Sequence, residues 1–119
     1  MEKTITVGGK AVRMRASALV PRLYRFKLGR DMIKDMTQLE AAYKKASASS
    51  GEEMLSAIDL TIFENVAWVM CKAADPTVPD DPDEWLDQID GVFSVYEVLP
   101  QIMELWSMGL ATTSTPAKK

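Results

Sequence analysis

The densest cluster of side chains that could do chemistry is "DDPDEWLDQIDG", residues 80–91, which holds six acids and ends in Asp-Gly. A calcium loop of the EF-hand kind needs oxygen ligands at alternate positions, a glycine at the sixth and a glutamate at the twelfth. Here Trp85 and Leu86 occupy the middle. Asp81-Pro82-Asp83-Glu84 reads instead as a helix start, with a cap, proline at the first helical position and acids in the first turn.

The sequence contains no histidine. That removes the commonest general base, the commonest metal ligand and every Ser-His or Cys-His nucleophile pair. Its one cysteine, Cys71, sits in the apolar helical context "NVAWVMCKAAD", which predicts a packed thiol rather than a reactive one. A single thiol forms no internal disulfide and fits a reducing compartment. No residue is assigned to catalysis, to a cofactor or to a metal, and the chain reads as a binding protein and not an enzyme.

The net charge of −3 hides a strong polarity along the chain. Residues 1–30 carry +7, residues 31–72 carry −3 and residues 73–119 carry −7. The basic head (Lys10, Arg13, Arg15, Arg22, Arg25, Lys27, Arg30) could face nucleic acid, or meet the acidic rear of the same or a neighbouring copy. It lacks a recognition-helix motif and interleaved exposed aromatics, so nucleic acid is not expected as the partner and a homo-oligomer is. Eight methionines add an argument for an adaptable apolar contact face.

The elements that must position these residues follow from pattern. At 119 residues the chain makes one domain with one core. No apolar run approaches the 18 or more residues of a membrane span, and the start lacks a secretory pattern, which places the chain in the cytoplasm. "KTITV" (3–7) and "AVRMR" (11–15) flank Gly8-Gly9 as a β-hairpin, with Ile5 opposite Val12, Val7 opposite Lys10 and Lys3 opposite Met14. Ile5, Val7, Val12 and Met14 then share one face that must lie on something else.

A helix over about 18–28 is capped by Ser17 and stopped by Gly29. A second, about 31–47, carries Met32, Met36, Leu39 and Tyr43 as one stripe and dissolves into "SASSGEE". A third, about 52–74, is apolar nearly all round and belongs in the centre of a bundle or against a partner. After the stiff "DPTVPDDPDE" comes a short helix burying Trp85, Leu86 and Ile89 and ending at Gly91. Ser94-x-x-Glu97 is a capping box for a last helix with Val95, Val98, Leu99, Ile102, Leu105 and Trp106 on one face. The fold class expected is mainly α: a small bundle of about five helices with an N-terminal β-hairpin, one domain over residues 1–110. The hairpin takes 3–15 and the helices about 18–108, and residues 111–119 are a disordered tail.

Pro100 is the irregularity in that last helix. It either breaks the helix, angling one patch with Tyr96 away from another with Ile102 and Trp106, or sits near the start and tilts one end. An apolar groove for an amphipathic helix is placed around it, lined by Tyr96, Leu99, Pro100, Met103 and Trp106 and backed by Trp85.

"FENVAWVM" (63–70), Ala74-Asp75-Pro76, the acidic proline-rich gap, Trp85-Leu86-Asp87, Leu99-Pro100 and Leu105-Trp106 stand in an order and spacing that resembles the tail assembly chaperones of long-tailed phages and prophages of Gram-positive bacteria. The likeness spans roughly residues 1–110 and is concentrated between 63 and 106. The sequence departs from the pattern at Ile89, where an aromatic is more usual, and at Ser107-Met108-Gly109.

The resemblance implies a small, mostly helical, non-enzymatic protein of the bacterial host cytoplasm. It would bind the long, helical, aggregation-prone tape measure protein, keep it soluble, help recruit tail tube subunits and leave before the virion matures. It also implies a longer form made by programmed ribosomal frameshift, through which the tail tube (major tail) protein is engaged; "TTSTPAKK" looks like the end of such a first frame. Two other functions fit the composition: a structural head–tail connector or neck protein that stays in the particle, and a small nucleic-acid-binding regulator.

Overall fold

The computed structural model describes residues 2–7, 10–47, 59–89 and 95–114, with backbone alone at 10, 46–47, 95–96 and 108–114. Strands β1 (Glu2–Val7) and β2 (Lys10–Arg15) pair antiparallel in the expected register, Ile5 with Val12, Val7 with Lys10 and Lys3 with Met14. The Gly8-Gly9 turn lies outside the described residues. Five helices follow among the described residues: α1 (Leu19–Leu28), α2 (Met32–Ser47), α3 (Leu60–Ala74), α4 (Pro82–Asp87) and α5 (Val95–Ser114). The protein is thus mainly helical with an N-terminal hairpin, and no described helix is long and apolar enough to cross a membrane.

The centre is α3. Every residue from Val66 to Cys71 is buried, and six consecutive positions at 100° each sweep more than a full turn. A helix with no side fit for water must be covered all round, and β2, α1, α2, α4 and α5 each pack on it. The hairpin supplies part of that cover: Ile5, Val7 and Met14 are buried and Val12 half-buried, with β2 against α3 and β1 against α5. On the other face Glu2 bridges Arg13 (3.2 Å) and Arg15 (3.0 Å), while Lys3, at the end of the core-facing row, pairs with Glu104 of α5.

The helix ends correct the sequence reading in several places. α1 starts one residue late. Ala18 is already helical and no side chain caps it; the turn closes through the Ser17 carbonyl, which accepts the Val20 N–H at 3.0 Å. Gly29 stops α1 as expected, at φ 68°, with its N–H on the Arg25 carbonyl. The expected helix 52–74 is not continuous: Asp59 is extended, and its carboxylate accepts the Thr61 and Ile62 N–H groups to open α3 at Leu60. Residues 48–58, including most of "SASSGEE", lie outside the described residues.

Pro100 does not break the last helix, which runs unbroken through it. An interior proline costs about 3 kcal/mol, whereas burying each large apolar side chain contributes about 1.5–3 kcal/mol. Val98, Leu99, Ile102 and Leu105 are all fully buried around it, so burial wins. The helix also continues through Gly109 to Ser114, past the end expected near 108 and four residues into the tail assigned as disordered. One glycine costs about 1 kcal/mol against alanine, too little to stop a helix already propagating. The capping box falls on Ser94, outside the described residues.

One device had no signature in the sequence. Asp35 of α2 is only 3% exposed, between Met32 and Met36 of the buried stripe. Its Oδ2 accepts the Tyr24 hydroxyl of α1 (2.7 Å) and Arg30 Nε (2.7 Å), and its Oδ1 accepts a second Arg30 nitrogen (2.9 Å). The forked pair with Arg30 holds the Asp35 carboxyl below the usual carboxylate range against the opposing cost of burial. Burial and the neighbouring carboxylate push the Tyr24 hydroxyl well above its ordinary value, so it stays a donor.

A folded-state pKa below the ordinary 3.8 means that stability contributed by Asp35 is complete above that value. It is lost as pH falls through the lowered one. Asp35→Asn should therefore destabilise the protein at pH 7 by about 1.5–3 kcal/mol, the range for a hydrogen bond to a charged group. The figure is kept below that of a fully buried pair because Arg30 is half in solvent. The gap between variant and parent should shrink as urea unfolding is repeated from pH 5 down to pH 2. An equal gap at every pH would show that the charge on Asp35 is not what holds α1 to α2.

Candidate functional site

The connection from α3 to α4 is folded back onto α3 rather than left as a free spacer. Asp75 accepts both the Thr77 N–H (3.0 Å) and the Thr77 hydroxyl (2.7 Å), closing an Asx turn behind Pro76. Those two donors, more than the attraction of Arg13, hold the Asp75 carboxyl below its usual range. Lys72, in the last turn of α3, donates to the carbonyls of Pro76 (3.0 Å) and Val78 (2.6 Å) and pairs with Asp80 at 2.9 Å. The Trp68 indole N–H donates to the Pro79 carbonyl at 2.8 Å. Asp81 then caps α4 through the Asp83 N–H, as the sequence predicts. The acids of residues 80–84 are in this way explained by the ion pairs of Asp80 with Lys72 and Lys27 and by one helix start.

Pinning the linker there leaves a cleft of about 380 Å³ between it, the hairpin and α4. That is the size of a small binding pocket. Val7 and Trp85 form a buried floor with half-buried Val12, Val78 and Ile89; Arg13, Thr77, Gln88 and Asp75 stand higher on the walls. Such a lining can take a few apolar side chains below and hold one charged or hydrogen-bonding group at the rim. Cys71 lies in the core, where burial pushes its thiol up to about 12, so it is not a thiolate at neutral pH.

The residues expected to line one groove are dispersed. Trp85 floors the cleft. Leu99 is fully buried and Trp106 nearly so, on the face of α5 that packs against β1 and α3, while Pro100 and Met103 are half-buried along the same helix. The Tyr96 side chain lies outside the described residues. Val98, Leu99, Ile102, Leu105 and Trp106 of α5 are thus spent on the core of their own molecule, and none of the described α5 side chains joins Trp85 in the cleft. Sequence reasoning missed Arg13, Asp75, Thr77, Val78 and Gln88 as partners of Trp85. Asp75-x-Thr77 was a readable turn signal, but nothing local says that the turn folds towards the hairpin.

Comparison with known proteins gives no match: no family model, no curated protein and no solved structure matches the chain.

The linker clamp has a direct test. Lys72→Met keeps the aliphatic stem and removes the three contacts of the ammonium. Cleavage within residues 76–81 by a protease that cuts after acidic residues should become at least about tenfold faster, as opening the linker loses charge-assisted hydrogen bonds. An unchanged cleavage rate would mean that the linker is held by Trp68 and Val78 alone.

Proposed function

We propose that this chain is a phage tail assembly chaperone that binds the tape measure protein and keeps it soluble while tail tube subunits are recruited. The observation that carries the reading is the order and spacing of "FENVAWVM", Ala74-Asp75-Pro76, Trp85-Leu86-Asp87, Leu99-Pro100 and Leu105-Trp106 in the sequence. It is supported by a cleft whose apolar floor includes Trp85 of that pattern. The binding face is assigned to the cleft rather than to α5, because the cleft is a concavity with half-buried Val12, Val78 and Ile89 along it, and no described α5 side chain lines it. Successive apolar residues of a helical client would enter between Val12, Val78 and Ile89, with Arg13 and Asp75 at the rim setting its register.

The chain acts as a carrier in this reading: it covers apolar client surface in the cytoplasm and is released when tube subunits replace it. Co-expression with the proposed tape measure client should bring that client into the soluble fraction and allow both to be purified together. Ile89→Glu, at a half-buried cleft position, should abolish co-purification while the thermal unfolding midpoint stays near that of the parent. Undiminished co-purification would move the client elsewhere, and finding the chain in finished particles would decide for a connector or neck protein.

A further inference from the structure

Helix α1 turns one face outwards that nothing in the described molecule covers. Contrary to the expectation that the basic head carries no exposed aromatic, Phe26 between Arg25 and Lys27 is 78% exposed, and Leu19, two turns earlier, 46%. At 100° per residue Leu19, Arg22 and Phe26 fall within an arc of about 60°, and the Arg22 guanidinium carbon lies 5.9 Å from the centre of the Phe26 ring. The opposite side of the same helix is buried through Val20 and Tyr24, so the outward face is fixed in direction.

The charge around this face is as one-sided as its exposure. α1, "LVPRLYRFKL", has no acidic residue. Most of the basic head has a carboxylate partner within the fold: Lys3 pairs with Glu104 and Arg30 with Asp35, Arg13 and Arg15 share Glu2, and Lys27 lies 3.7 Å from the Asp80 that Lys72 also holds. Among the described residues Arg22 and Arg25 have no carboxylate partner, and they lie beside the exposed Phe26. Two free cations on a helix about 15 Å long are too few and too close to follow a phosphate backbone, which takes a longer stripe of charge. They do suit a short protein segment carrying carboxylates beside apolar residues.

We infer that the Leu19–Arg22–Phe26 face of α1 docks an acidic amphipathic helix of a partner protein. The partner's apolar residues, one or two turns apart, pack on Phe26 and Leu19 as ridges into grooves, and carboxylates on its flanks meet Arg22 and Arg25. Arginine and aromatic side chains are the types that carry most binding energy in such contacts. This surface uses no residue of the cleft and does not depend on the chaperone reading.

The test uses the full chain and a fluorescent synthetic helical peptide with a leucine stripe of heptad spacing flanked by glutamates, followed by anisotropy. The expected result is saturable binding that weakens with salt and about thirtyfold with Phe26→Ala, while Phe26→Ala melts like the parent. Arg22→Gln with Arg25→Gln should remove most of the salt dependence. The inference is overturned if the peptide does not bind, if Phe26→Ala binds as the parent does, or if a version with lysines for glutamates binds equally well. It is also overturned if a single-stranded oligonucleotide displaces the peptide, or if sedimentation shows two copies already joined through Phe26.

Discussion

A fifteen-residue helix apolar nearly all round cannot stand in water, and most of this fold is the answer to that constraint. α3 brings Ile62, Phe63, Val66, Trp68, Val69 and Met70 to the centre, and no single neighbouring element is wide enough to cover them. A two-stranded hairpin is marginal alone, and a ten-residue helix such as α1 is marginal alone. Each becomes stable by lying on α3. The dependence runs both ways, which makes a small chain behave as one unit instead of a helix with attachments.

Two polar devices set where the covering elements sit. At one end Asp35 ties Tyr24 of α1 and Arg30 of the α1–α2 connection to α2, a junction whose geometry is fixed by three hydrogen bonds rather than by shape alone. At the other, Lys72 and Trp68 reach from α3 to the carbonyls of the linker and hold it against the core. The first gives α1 a fixed outward face, and the second creates the cleft beside Trp85. Both surfaces proposed for binding therefore follow from how the central helix is clothed.

What was legible in the sequence was local and periodic. The hairpin register, the α2 stripe, the Gly29 stop and the Asp81-Pro82 start all rest on patterns that neighbouring residues decide. The centrality of α3 was equally readable, since apolarity all round leaves a helix nowhere else to go. The candidate groove was not. A stripe such as Leu99, Ile102 and Trp106 looks the same whether it faces a partner or its own core, and the choice depends on β1, about 95 residues away along the chain. Asp35 was hidden for a related reason: an acid on a helix reads as solvated until the fold brings Tyr24 and Arg30 to it. Pro100 showed the limit of a local penalty, which packing on both sides of it outweighed.

The central claim is that α3 and its cover fold and open together. Native-state hydrogen exchange across a denaturant series tests it most directly, by comparing amides of Val66–Cys71 with the paired amides of β1 and β2. The expected result is that both sets exchange only through global unfolding, with one free energy and one dependence on denaturant. Exchange of the strand amides through a cheap local opening, while Val66–Cys71 stay protected, would contradict it.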